Sequence, residues 1–135
     1  MDNIRERCID GTMTAARIID EADGLASLGL FGDAWEVLEI LPPADRKRPA
    51  VLAVRLMVCL GMARWELGHE IGRYIGAGDE ARHREAAGRF HLGHAIALCA
   101  AGEVLRARAA VGALAVVWPE GRALVLDSDA LAAVW

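Results

Sequence analysis

The sequence predicts an all-α protein made of about three antiparallel helical hairpins, and three observations support this fold class. The four prolines lie at positions 42, 43, 49 and 119, and the long stretches between them are rich in residues that favour helices. No run alternates between apolar and polar residues with the period of two that marks a half-buried strand. A short pattern of small and large residues recurs at a spacing of 34 residues, which indicates a repeated structural unit.

Caps and helix-breaking residues divide the chain into six main helices and a short seventh. A threonine near the start can accept a backbone N–H bond at a helix N-terminus, and Pro49 suits a first helical turn. The predicted helices run from Thr12 or Thr14 to about Leu28, from Gly32 to Leu41, from Pro49 to Met62, from Trp65 to Ile75, from about Asp79 to just before Gly102, and from Glu103 to Trp118. A short helix capped by Asp127 or Ser128 is expected to finish the chain. Because the connections are short, successive helices are expected to pair as antiparallel hairpins.

The repeat is clearest where each hairpin turns. Residues 29–34 align with residues 63–68, which lie 34 positions later, and with residues 102–107, a further 39 positions along the chain. Each copy begins and ends with a small residue, and its third position holds a larger apolar one such as Phe31 or Trp65. We expect the final small residue to let two helices approach closely. The larger side chain is expected to fill the gap to the next hairpin.

The second helix of each hairpin carries a further pattern. The third copy has Ala107, then Val111 four residues later and finally Pro119, and the first copy has the same order with an earlier proline. This pattern resembles the tetratricopeptide repeat, a 34-residue helix–turn–helix unit. The acidic segment and Trp135 at the end are also similar to the tails of small bacterial proteins of this kind. The resemblance implies a single domain over residues 1–135 that forms a right-handed superhelix, with repeats at about 15–48, 49–82 and 88–121 and a C-terminal cap at 122–135.

The resemblance also implies a function. Arrays of this family bind peptides or protein segments in the concave surface made by the first helix of each hairpin. The expected partner is therefore a protein or peptide, held in a mostly apolar groove. The candidate binding residues are Ile19, Asp23, Met57, Leu60, Arg89, Leu92 and Ile96. Four of these, Met57, Leu60, Leu92 and Ile96, are expected to form an exposed apolar patch.

The alternative function is a structural, homodimeric protein without a separate ligand. Gly68, Gly72 and Gly76 lie four apart on one helix face and would accept a neighbouring helix at short distance. That neighbour is either the fifth helix or a second molecule. The tail from Leu131 to Trp135 is expected to cover the open end of the third hairpin, although it could instead fill the groove.

Charge and hydropathy exclude several classes of partner. The net charge is −4 with a pI near 5.5, so the sequence does not indicate nucleic-acid binding. No apolar run approaches the roughly 20 residues of a membrane-spanning helix, so no membrane partner is expected. The polar start of the chain does not resemble a secretory signal, and we therefore expect a cytoplasmic protein.

No residue pattern indicates catalysis, a cofactor or a metal. His91 and His94 share a helix face and could in principle share a metal, but without an evident third ligand they are predicted to be structural. His69 is expected on a solvated face with two glutamates. The three cysteines, Cys8, Cys59 and Cys99, are widely spaced and are predicted to act as small buried apolar residues.

Overall fold

The computed structural model describes residues 14–134, and every regular element within this range is helical. The seven α-helices are α1 (Ala15–Ser27), α2 (Phe31–Leu38), α3 (Pro49–Gly61), α4 (Trp65–Gly76), α5 (Ala81–Ala100), α6 (Val104–Val117) and α7 (Arg122–Asp127). Short 3₁₀ segments cover Asp45–Lys47, Pro119–Gly121 and Asp129–Val134. The predicted all-α class is confirmed for these residues. Cys8, Trp135 and the alternative cap Thr12 lie outside the described residues.

Helices α1 and α3 begin at the residues that the local sequence predicts. Thr14 has extended backbone angles, and its side-chain oxygen accepts a hydrogen bond from the backbone N–H of Arg17 at 3.3 Å. It therefore caps α1 by satisfying one of the N–H groups that lack a partner within the helix. Pro49 occupies the first turn of α3, where its missing N–H costs nothing.

The end of α2 differs from the prediction. The helix ends at Leu38, three residues before the expected end at Leu41. Pro42 disfavours helical angles in the residue before it, so the chain leaves the helix early. The guanidinium of Arg46 then donates to the carbonyl oxygens of Leu41 and Glu39, at 2.8 and 2.7 Å. These two carbonyl oxygens lie beyond the end of the helix, where its regular backbone bonds cease. The Arg46 side chain satisfies them instead.

The three turns within the hairpins have the same backbone geometry. Gly29, Ala63 and Gly102 each have a positive φ, at 80°, 55° and 79° respectively. They lie 34 and 39 residues apart, which is the spacing that the sequence pattern predicts. A non-glycine residue rarely adopts this left-handed conformation, so Ala63 carries local strain.

Equivalent hydrogen bonds close each of these turns. The N–H group one residue after the positive-φ position returns to a carbonyl five residues earlier, as in a Schellman motif. The three bonds are Leu30 N–H to Leu25 O (2.9 Å), Arg64 N–H to Cys59 O (2.8 Å) and Glu103 N–H to Leu98 O (2.9 Å). The repeat is therefore present in the backbone as well as in the sequence.

The hairpins pack in chain order. Within each hairpin the first helix contacts the second, giving the pairs α1–α2, α3–α4 and α5–α6. Between hairpins, α1 contacts α3 and α3 contacts α5, while α2 contacts α3 and α4 contacts α5. The first helices α1, α3 and α5 therefore lie side by side.

The small and large residues of the repeat take their expected places. Ala34, Gly68 and Ala107 are all buried. The ring of Phe31 lies against Gly61 of the next hairpin. Trp65 stacks on His94 of the third hairpin, with ring centroids 4.7 Å apart. Both aromatic side chains thus fill the gap to the hairpin that follows.

The glycine face of α4 packs inside the chain. A methyl group added at Gly68 would overlap the ring of Phe90, and one at Gly76 would lie 3.0 Å from Val117 Cγ1. At Gly72 the added methyl would lie 3.9 Å from the Cβ of Ala87. The expected packing on the fifth helix is confirmed, and the alternative in which a second molecule covers this face is wrong.

The C-terminal tail differs in form from the prediction. The helix α7 begins at Arg122, before Ser128, and the segment after Ser128 is 3₁₀ rather than α-helical. Leu131 and Val134 are buried against the third hairpin. The carbonyl oxygen of Val134 also accepts a hydrogen bond from Arg108 Nε at 3.0 Å. The described tail therefore covers the open end of the third hairpin, as expected.

Candidate functional site

Two adjoining cavities lie along the first helices of the hairpins. The smaller has a volume of about 270 Å³ and the larger about 500 Å³. Both are lined by residues of α1, α3 and α5, and they share Met57, Arg82 and Ala86. They therefore form one open depression, which we call the groove.

The middle of the groove is apolar. Ala50, Ala53, Met57 and Leu60 line it from α3, at the spacing of three and four residues that places side chains on one helix face. Met57 and Leu60 are half-buried, so part of each side chain remains accessible to solvent. Phe31 adds an aromatic ring at the end near the first hairpin turn.

The two sides of the groove carry opposite charges. On α1, Asp20 and Asp23 are exposed, and within residues 14–134 neither forms an ion pair. On α5, Arg82 and Arg89 line the opposite side, and each contacts a nearby carboxylate of Glu80 or Glu85 at 3.0 and 3.4 Å. Such exposed pairs are weak, so the Arg82 guanidinium remains available to a ligand. The Arg89 guanidinium also lies over the Trp118 ring, 5.1 Å from its centroid.

Five of the seven predicted binding residues line the groove, and two do not. The five are Ile19, Asp23, Met57, Leu60 and Arg89. Leu92 instead packs with the buried residues beneath the C-terminal tail. Ile96 is 36% exposed and lines neither cavity. Leu92 thus packs towards the third hairpin and its cap, and Ile96 lies outside the groove.

Arg82 lines both cavities of the groove but is not among the predicted binding residues. The signal was present, because Arg82 lies seven residues before Arg89, which is two helical turns and the same face. The repeat alignment began the third unit at residue 88, so the first two turns of α5 were not considered.

A second arrangement of functional interest is formed by His69, His91 and His94, which we call the histidine cluster. His69 Nε2 lies 2.9 Å from His94 Nδ1. The ring centroid of His69 lies 5.2 Å from the ring centroid of His91 and 4.8 Å from that of His94. His91 and His94 are predicted to be structural histidines with satisfied hydrogen bonds. Their exposed fractions are only 5% and 4%, but one ring nitrogen of each lacks a hydrogen-bond partner.

Glu66 and Glu70, the carboxylate pair expected on a solvated face, are exposed as predicted. His69 beside them is instead half-buried and directed at α5. The reason is the glycine at position 68, which brings α4 close to Phe90 of α5 and encloses the neighbouring histidine.

Burial determines the protonation state of the histidine cluster. Desolvation lowers the pKa of all three imidazoles. Repulsion from the neighbouring histidines lowers the pKa of His91 and His94 further, whereas Arg73 and Arg106 lower that of His69. The pKa of His91 falls to about 4. His91 Nδ1 and His94 Nε2 are buried without a hydrogen-bond partner. Near neutral pH the three imidazole rings are therefore neutral.

Within residues 14–134, no group of three or more His, Cys, Asp or Glu side chains is arranged to hold a metal ion. Cys59 is buried, and burial raises the pKa of its thiol, so the side chain stays protonated. Cys99 is half-buried. Neither thiol is therefore placed as an activated nucleophile.

None of the helices described in residues 14–134 combines the length and the apolar character needed to cross a membrane. No protein-family model, curated protein or solved structure matches this chain.

Proposed function

We propose that this protein is a scaffold of tetratricopeptide-like hairpins, wound as a right-handed superhelix, that binds a segment of a partner protein and catalyses no reaction. The observation that carries the proposal is the groove, which runs across the first helices of all three hairpins. Arrays of stacked hairpins use such extended surfaces for binding.

The chemistry of the groove favours one kind of ligand. Its middle offers Met57 and Leu60, and the flexible methionine side chain adapts to different apolar partners. Asp23 lies on one side and Arg82 on the other, so the two sides attract opposite charges. The best complement is an amphipathic helix with apolar residues along one face, basic residues on one flank and acidic residues on the other.

Site-specific crosslinking tests this proposal. A photoreactive amino acid replaces Met57 in the groove, and a matched variant carries it at Tyr74, which is exposed on α4 and does not line the groove. After illumination in the native cell, the groove variant should crosslink to a partner that the control does not capture. The crosslinked segment is then synthesised and titrated against the wild-type protein by calorimetry.

The titration has a clear negative result. If the synthetic segment binds wild type and a Met57→Gln variant equally well, or if both crosslinking positions capture the same proteins, the groove is not the binding surface. A segment without an apolar helical face would contradict the proposed ligand chemistry.

One observation favours the second candidate function, self-association. On the outer face of α6, Leu105 and Val116 are 77% and 76% exposed, with Ala109 and Gly112 between them. Large residues at the ends and small ones in the middle suit two antiparallel copies of α6 that cross at the small residues. Sedimentation of the protein alone tests this function. A dimer that Leu105→Glu dissociates would support it, and a monomer at all concentrations would exclude it.

A further inference from the structure

The histidine cluster lies at the contact between the second and third hairpins. His69 belongs to α4, which ends hairpin two, whereas His91 and His94 belong to α5, which begins hairpin three. Trp65 stacks on the ring of His94, and Phe90 meets the ring of His69 edge-on at 5.5 Å. The three imidazoles are therefore part of the packing that joins two hairpins.

The contact between His69 and His94 requires a neutral ring. At 2.9 Å, one ring nitrogen donates its hydrogen to the other, which must accept. An imidazolium has no acceptor nitrogen, so the bond persists only while at least one of the two rings is neutral. When both are protonated, two N–H donors face each other and the charges repel.

The groups around the histidine cluster mostly oppose protonation. Arg73 on α4 and Arg106 on α6 add positive charge near the rings. Glu103, in the turn before α6, acts in the opposite direction on His94. From α3, Cys59 belongs to the adjoining packed cluster, but its protonated thiol carries no charge. His91 and His94 are both buried, and His91 Nδ1 and His94 Nε2 have no hydrogen-bond partner.

We propose that the histidine cluster is an acid-sensitive contact, in which neutral imidazoles hold hairpin three against hairpin two and protonation separates the two hairpins. Because α5 also supplies Arg82 and Arg89, separation removes one side of the groove. The inference does not depend on the proposed function, since the separation is a property of the chain alone.

Amide hydrogen exchange of the wild-type protein at pH 7.5 and 5.0, corrected for the intrinsic pH dependence of exchange, tests the proposal. His91 changes from a pKa of about 4 in the closed form to its ordinary 6.5 in the open form. Linkage then predicts that His91 alone raises the open population by about 30-fold between the two pH values, and the lowered pKa values of His69 and His94 add to this rise. The increase should appear in α4 and α5 and be much smaller in α1 and α2.

Two variants distinguish the histidine cluster from a general effect of acid. His91→Gln keeps a polar side chain but cannot titrate, and it should reduce the pH effect on α4 and α5 exchange to a few-fold. His83→Gln is the control, because His83 is also buried in α5 but pairs with Glu80, outside the histidine cluster. This variant should keep the full wild-type response.

The proposal is overturned if wild-type exchange changes equally in all hairpins, or if His91→Gln retains the 30-fold response. If His91→Gln does not fold, a nuclear magnetic resonance titration of the wild-type histidines decides. Protonation of the three rings near pH 6.5, with no change in the amide signals of α4 and α5, would also overturn the proposal.

Discussion

At the scale of single residues, one backbone position distinguishes the three hairpin turns. Gly29 and Gly102 adopt positive φ without strain, because they lack a Cβ. The equivalent residue in the second hairpin is Ala63, with φ at 55°. The same turn is therefore built from two favourable residues and one unfavourable residue.

Replacing Ala63 with glycine should stabilise the protein. We expect a gain of about 1 kcal/mol, the typical cost of a non-glycine residue in this conformation. Urea denaturation followed by circular dichroism measures the change. The control is Ala101→Gly, since Ala101 has φ at −85° and gains nothing from glycine. If Ala63→Gly does not stabilise the protein relative to Ala101→Gly, the strain at Ala63 is absent.

The glycines of α4 should respond differently to the same substitution. At Gly72 an added methyl meets its neighbours at ordinary contact distances of 3.9 to 4.0 Å, so Gly72→Ala should stabilise the helix by about 1 kcal/mol. Gly68→Ala should destabilise by about 1 to 3 kcal/mol, because the buried Phe90 ring occupies the space. Gly72→Leu should also destabilise, since the larger side chain separates α4 from α5. Thermal unfolding of the three variants checks the order, and a stabilised Gly68→Ala would refute the packing at that position.

At the scale of elements, the last two long helices differ from the first ones. Apolar residues occur around most of α6, and α5 combines buried histidines with exposed arginines. The inner face of α6 and the second half of α5 are covered by the C-terminal tail, through Leu131 and Val134. The tail is therefore a structural part of the third hairpin.

Changes in the tail should lower stability without changing the groove. Leu131 is fully buried, so Leu131→Ala should cost about 2 to 5 kcal/mol. Leu126 is 66% exposed, and Leu126→Ala serves as the control with little expected effect. Chemical denaturation gives both values. Deleting residues 128–135 should likewise destabilise the protein. If the deletion instead raises affinity for a bound segment, the tail occupies the groove.

At the scale of the whole molecule, the groove exists because three hairpins stack with their first helices side by side. The acidic residues of α1 and the arginines of α5 flank an apolar centre supplied by α3, and Glu85 of α5 also lines the groove. Removing any one hairpin would leave an incomplete surface. Because the accessible side chains of the groove differ from those that fill the core, we expect binding and stability to depend on different residues.

A pair of substitutions separates the groove from the core. Met57→Gln, in the groove, should weaken binding of the crosslinked segment by about tenfold or more, with a small effect on the melting temperature. Leu92→Gln should lower stability by about 1 to 3 kcal/mol, because it places a polar group among the apolar residues beneath the tail. Calorimetry and thermal unfolding are measured on both variants. A large stability loss for Met57→Gln with unchanged affinity would assign Met57 to the core.

The sequence alone determined the features that depend on residues close together in the chain. The start of α3 at Pro49 and the hairpin turns at the 34- and 39-residue spacings follow from local backbone preferences, and the first cap was narrowed to Thr12 or Thr14. The glycine face of α4 was predictable because a four-residue spacing defines one side of a helix whatever its surroundings.

The tertiary structure decided which side of each helix meets a neighbour. His69 is enclosed because Gly68 admits the Phe90 ring, and Leu92 is in the core because the tail returns over α5. These contacts join residues far apart in the chain, so no local sequence pattern could have predicted them. In α5 and α6 the apolar residues do not form one clear stripe, and periodicity therefore cannot select the buried side. The buried side of α5 and α6 is selected by the packing of complete hairpins, because burial depends on how neighbouring helices cross.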